Sequence, residues 1–232
     1  LRGYWKLHAK HLENLRTKTD LVTTNVVSWT RGKVLRDVRF YLLLPAVVAT
    51  PMIATAFFFH HLNIAETKQW DARWITGNYM WYAGTSMVAM LTAGSLIDRF
   101  SAKLVIQYTM IPLAMAALTI GIGDHNIWVL PYMILLGLHT GFAHTSVPAL
   151  YPELYGVEHL GSIKSLVSVF AVMSSAIGPV LIGMVIDRGI PIQTICIVIA
   201  TYTVLCNILL MLGLRMTPTL IPQLNAQNKM SN

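Results

Sequence analysis

The chain has 232 residues, of which 55% are hydrophobic and only 12% charged, with a formal net charge of +7. A soluble domain ordinarily carries about 25% charged residues, so half that share leaves too little polar surface to face water. The composition excludes an ordinary soluble enzyme or binding module and points to the membrane class.

Residues 1–37 are polar and basic. Tyr4 and Trp5, with Leu7, Leu12 and Leu15, fit a short helix lying on a membrane surface; a solvated linker is the alternative. Six stretches without Asp, Glu, Lys or Arg then follow, at 40–65, 74–97, 104–123, 126–152, 165–186 and 190–214. Each is long enough to span, because about 20 apolar residues at a rise of about 1.5 Å cross a hydrocarbon core of about 30 Å. Lipid offers no partner to backbone N–H and C=O groups, so the spans must be helices. None of the runs alternates as a barrel strand would. The expected fold is all-α: a polytopic bundle of six transmembrane helices over 38–214, followed by a polar tail at 215–232.

The first span, about 38–60, contains Pro45 and Pro51, which read as a passive kink or as a hinge lining a cavity. A loop at 60–73 then carries His60, His61, Glu66, Lys68 and Trp70. The second span runs from Trp74 to Ile97, with Trp74 as an interfacial anchor and Tyr82 deeper. The loop Asp98–Lys103 leads into the third span, and a turn at Gly123 and Asp124 into the fourth, which holds His139 and His144. A loop at 147–164 precedes the fifth span, which carries Gly178, Pro179 and Gly183. The sixth holds Cys196 and Cys206 on different helix faces, which argues for packing and against a disulfide.

The basic charge is sorted by side. Nine of the 17 Lys and Arg residues precede the first span, and Arg99, Lys103, Lys164, Arg215 and Lys229 fall on that same side. The other side receives Lys68, Arg73 and Arg188. By the positive-inside rule both ends of the chain are cytoplasmic. The charge sets topology, and nucleic acid is not an expected partner. Residues 1–37 read as a basic cytoplasmic linker.

Gly94-Ser-Leu-Ile-Asp98-Arg99-Phe-Ser101-Ala-Lys103 resembles the signature of the major facilitator superfamily for the short loop between the second and third helices of each half. Its usual pattern is Gly, three residues, Asp, Arg or Lys, any residue, Gly, any residue, then basic; Ser101 stands at the second glycine. Pro152-Glu153-Leu154-Tyr155-Gly156 through Gly161 resembles the loop before the fifth helix of the C-terminal half. Gly178-Pro179, Gly183 and Asp187 resemble the end of that helix. Arg39 to Pro45, with Phe57 to His60, resembles a bacterial branch near the oxalate/formate and monocarboxylate transporters. The resemblance covers about 34–214 and implies a transporter working by alternating access in a bacterial inner membrane. It also implies a partner six-helix half joined through the basic lead-in, the bilayer and a small-molecule substrate.

Asp98 and Arg99 lie at the cytoplasmic end of the second span. A carboxylate there can sit against the positive N-terminus of a neighbouring helix, worth roughly 0.3–1 kcal/mol. The resemblance implies a contact made in one conformation and broken in the other; the alternative is a mere boundary marker. Lys103 could simply snorkel. His139 falls near the midplane, where an ionisable residue is a functional candidate by default, and the resemblance puts it on a cavity-lining helix. It could bind an anion or relay a proton, or be a neutral histidine bonded between helices. His144 carries a weaker claim. Thr50, Thr55, Tyr82 and Thr140 are further substrate-binding candidates. The resemblance would place a basic residue inside the second or fifth span for a dicarboxylate carrier. Both lack one, with Lys164 at the cytoplasmic edge, so the expected substrate is a small organic anion such as a monocarboxylate. If transport is proton-coupled, the carrier is His139 or lies in the other half. No cofactor or metal is expected. An enzyme is disfavoured, because no G-x-S-x-G, H-E-x-x-H or intramembrane Asp pair occurs. A membrane scaffold is the other alternative.

Overall fold

The computed structural model describes residues 29–216. The surface-helix reading at residues 4–15 and the tail beyond Met216 lie outside them. Six long helices carry the fold: α1 (Val38–Thr67), α2 (Tyr79–Phe100), α3 (Ala102–Ile122), α4 (Val129–Tyr155), α5 (Leu160–Asp187) and α6 (Ile192–Arg215). One-turn and two-turn helices at Arg31–Val34 and Ala72–Gly77 flank α1, and a 3-10 turn at Asn126–Trp128 leads into α4. The described residues contain no strand, as expected of an all-α bundle. Five of the six helices are long and apolar enough to cross a membrane. The exception is α2, which spends its 22 residues on Tyr79, Trp81, Tyr82, Thr85, Ser86, Thr92, Ser95, Asp98 and Arg99 as well as apolar groups.

The helix bounds depart from the uncharged stretches, and three expected loops and one expected span are corrected. α1 continues through His60 and His61 to Thr67, because no breaker intervenes. It ends where Gln69 turns to φ 55° and the Trp70 N–H bonds the Ala65 carbonyl at 2.8 Å, a left-handed helix cap. The second span is broken at Asn78, whose side-chain amide donates to the Trp74 carbonyl at 2.7 Å and competes with helix continuation. The 98–103 loop shrinks to Ser101 alone between α2 and α3. α4 continues past Pro148 and Pro152 to Tyr155 and stops at Gly156, φ 79°, so only 156–159 connect it to α5.

The helices pack as an open arc in the order α2, α4, α3, α6, α1, α5. Exchanging α1 with α4, α2 with α5 and α3 with α6 maps this order onto itself reversed. The chain is thus two three-helix units of opposite direction. Glycines allow the closest approaches. A Cβ at Gly137 or Gly141 of α4 would meet the Tyr82 or Ser86 carbonyl of α2, and one at Gly178 of α5 the Met52 carbonyl of α1. Most of the fully buried large side chains, among them Tyr132, Leu113, Met133 and Leu136, belong to α3 and α4. The core therefore sits at the middle of the arc, and α2 and α5 form its flanks.

Candidate functional site

The concave side of the arc holds a cavity of about 600 Å³ between α1, α4, α2 and α5. Each wall is one helical stripe at spacings of three or four, the period of one helix face. α1 contributes Val47, Thr50, Pro51, Ala54, Thr55 and Phe58; α4 contributes Thr140, His144, Val147 and Tyr151; α5 contributes Lys164, Ser168 and Ala171; and α2 reaches in with Tyr82. The expected candidates Thr50, Thr55, Tyr82 and Thr140 are thereby brought together.

His139 lies elsewhere. It is on the cavity-lining α4, but its ring is fully buried against α3, with Nδ1 2.7 Å from the Thr109 carbonyl. That acceptor makes Nδ1 the protonated nitrogen; Nε2 has no protein partner among the described residues. The reason is rotation. His139 stands one residue before Thr140, and about 100° per residue turns it out of the stripe that Thr140, His144 and Tyr151 share. His144 takes the cavity position instead, exposed to it.

Lys164, expected at the membrane edge, belongs to the second turn of α5 and is half-buried on the cavity wall. The Tyr151 hydroxyl is buried without a partner among the described residues. The Thr50 and Thr140 hydroxyls donate to the Ala46 and Leu136 carbonyls of their own helices, at 3.3 and 2.8 Å, which leaves them as acceptors towards a ligand. The lining holds one lysine and one histidine and no carboxylate. Neither Lys164 nor His144 has a carboxylate within 4.0 Å among the described residues. An uncompensated cation on a largely apolar wall selects against cationic solutes and favours an anion.

Asp98, Arg99, Ser101, Lys103, Glu153, Gly156 and Gly161 gather at the end of the bundle that carries the described termini, whereas Gly178, Pro179, Gly183 and Asp187 lie along the half of α5 that runs to the other end. Glu153 of α4 caps the start of α3, accepting from the Ala102 N–H at 2.7 Å and the Lys103 N–H at 3.2 Å. A carboxylate thus holds the start of α3, and it is Glu153; Asp98 holds no helix start among the described residues. Asp98 is exposed and accepts no hydrogen bond among the described residues, while Arg99 lies over the Phe100 ring at 5.3 Å. Ser101 has φ 107°, a backbone region open to glycine and strained for other residues. That is the physical reason the pattern has glycine there. Gly94 and Gly161 have no neighbour within 4 Å of a Cβ, Gly183 faces the His60 ring, and Asp187 closes α5. His60 reaches across to α5, its Nε2 donating to the Pro179 carbonyl at 2.9 Å.

A second polar cluster lies at the opposite, far end, where the sequence suggested a loop. His61 of α1 is buried, with Nδ1 2.8 Å from the Tyr79 hydroxyl of α2 and Nε2 bonded to the Tyr132 hydroxyl of α4. Phe58 packs edge-on against His61, Tyr79 and Tyr82 at centroid distances of 5.0, 5.8 and 4.9 Å, and so separates this cluster from the cavity. The sequence signal was present: His61 falls one helical turn beyond Phe57 and Phe58, but only once the helix is known to continue.

The family model for the Major Facilitator Superfamily matches residues 38–229. No curated protein matches the chain.

Proposed function

The chain belongs to the major facilitator superfamily and is a membrane transporter, and from that premise we propose that it forms one six-helix half of a carrier for small organic anions. The other half closes the open side of the arc, and alternating access moves the solute past the cavity. The end bearing the described termini is taken as cytoplasmic, from the distribution of Lys and Arg, in a bacterial inner membrane. Residues 1–37 serve as the linker between halves, with the tail at 215–232. Asp98 is exposed at the end where α5 begins and would engage that helix start in the alternate conformation.

The observation that carries the substrate class is the cavity itself. Lys164 and His144 face a space of about 600 Å³ that no carboxylate lines, and Tyr151 forms part of its wall with its hydroxyl buried and without a partner among the described residues. Lys164 supplies the charge, Tyr151 and His144 supply donors, and Thr50, Thr55 and Thr140 set the polar floor. The apolar remainder suits a short carbon chain, so a monocarboxylate is the preferred ligand.

The test is thermal unfolding of the full-length protein in detergent with panels of monocarboxylates, dicarboxylates, sugars and cationic drugs. A ligand that binds only the folded state at about 100 times its Kd adds about 2.7 kcal/mol. A monocarboxylate is expected to raise the midpoint, and Lys164→Met to abolish the shift. A rise with cations or sugars alone would overturn the anion reading.

A further inference from the structure

We propose that His61, between Tyr79 and Tyr132, binds the coupling proton of this transporter, and that taking it up releases the far end of the bundle. The proposal rests on the transporter reading but on a different cluster from the solute cavity.

The hydrogen bonds assign the resting tautomer. Tyr132 is 2% exposed, and its hydroxyl meets only the His61 Nε2 among the described residues. A buried hydroxyl must donate, so Nε2 accepts and Nδ1 carries the proton. Nδ1–H then donates to the Tyr79 hydroxyl, whose half-buried residue at the far end can turn its own proton outward. Every donor is satisfied, and His61 ties α1 to both α2 and α4.

A proton added to the Nε2 lone pair changes this. Nε2 becomes a donor, and the Tyr132 O–H loses its acceptor inside the core. The proton comes from hydronium, whose O–H bond breaks as the N–H bond forms and leaves water; the reverse step returns it to water. The penalty of a stranded buried hydroxyl is removed only by separating α4 from α1 and admitting water. Protonation and far-end opening are therefore linked.

The surroundings permit this role. Around His61, α1 presents Lys68 two turns on, its side chain bonded to the Gly123 carbonyl and near Asp124. α2 presents Tyr79 and Tyr82, α4 presents Tyr132, and α6 presents the Cys196 thiol close to Tyr132. No carboxylate bonds to any of His61, Tyr79 and Tyr132 among the described residues. His139 lacks the same provision: its Nδ1 already faces a carbonyl, and a proton on Nε2 would find no protein acceptor.

Cys196 is buried on α6 at this end and reports the opening. In a Cys206→Ala background of the full-length protein in vesicles, its labelling rate by a small charged thiol reagent is measured between about pH 8 and about pH 4, a range that extends below the ordinary histidine switch. Dividing by the rate in the same background with His61→Gln removes the intrinsic pH dependence of the thiol. The ratio is expected to rise several-fold towards acid with the slope of one proton. Tyr132→Phe leaves no hydroxyl to strand, so its ratio is expected to stay flat across the range. A flat ratio with Tyr132 in place, or a Tyr132→Phe variant whose ratio still rises towards acid, overturns the proposal. Uptake of a carboxylate with a flat ratio sinks only this inference. An acid-dependent ratio in a protein that moves no solute sinks only the transporter reading.

Discussion

The two flanks of the arc, α2 and α5, occupy equivalent positions in the two inverted units, yet they are held in different ways. Against α2 the close approach comes from the central helix: Gly137 and Gly141 of α4 sit under the Tyr82 and Ser86 carbonyls. This leaves α2 free to carry larger side chains, including Tyr82 of the cavity. Against α1 the glycine is on the flank itself, Gly178, followed at once by Pro179. Among the described residues, only the α5 flank is also joined to its central partner by a side-chain hydrogen bond, from His60 of α1 to the Pro179 carbonyl. One geometry is thus reached from opposite sides of the interface.

The largest expected effect breaks both flanks alike. Gly178→Leu would put a Cβ 2.3 Å from the Met52 carbonyl oxygen, and Gly141→Leu one 2.3 Å from that of Ser86. Backbone cannot yield as a side chain can, so each should cost about 3 kcal/mol or leave no folded protein, read as thermal unfolding in detergent. Equal damage would confirm that both approaches are backbone-limited; loss at one alone would break the equivalence.

His60→Leu separates the flanks. It removes a bond that only α5 possesses and should cost about 1 kcal/mol. A double-mutant cycle with Gly178→Ala should show coupling, and one with Gly141→Ala none, since contacts couple and distant sites add.

The joints beyond the flanks differ in sign. Ser101 after α2 and Gly189 after α5 both have positive φ, 107° and 75°. Ser101→Gly should stabilise by about 1 kcal/mol through released strain, and Gly189→Ala should destabilise by about 1 kcal/mol. The smallest effect is expected at Gly183, where a Cβ meets only the His60 ring at 3.5 Å. Gly183→Ala should stay within about 0.5 kcal/mol of the parent; a larger loss would show that the flank tolerates no added bulk beyond Gly178.

Much of this was legible in the residues. Uncharged runs revealed six helices because lipid penalises charge and unpaired backbone alike. The signature loop announced Ser101 as the odd residue at a glycine position, and the structure supplies the reason in its dihedral. Helix ends were less legible. His60 and His61 looked like loop residues because polarity was read as exposure, whereas both ring nitrogens of His61 are satisfied across the bundle. Lys164 looked like an edge residue because a charge marks where a span stops being apolar, not where its helix begins. His139 attracted notice by depth, and the 140, 144, 151 stripe that points to His144 was equally readable from spacing once a cavity was known to lie on that side.

Composition and charge placement by themselves determined the membrane class and the helical secondary structure, because those depend on transfer from water to lipid, residue by residue. Which histidine faces solute, which faces another helix and which joins two tyrosines was decided by tertiary structure alone. A helix presents a different neighbour every 100°, and only the packing order of the arc says which neighbour is protein, lipid or cavity.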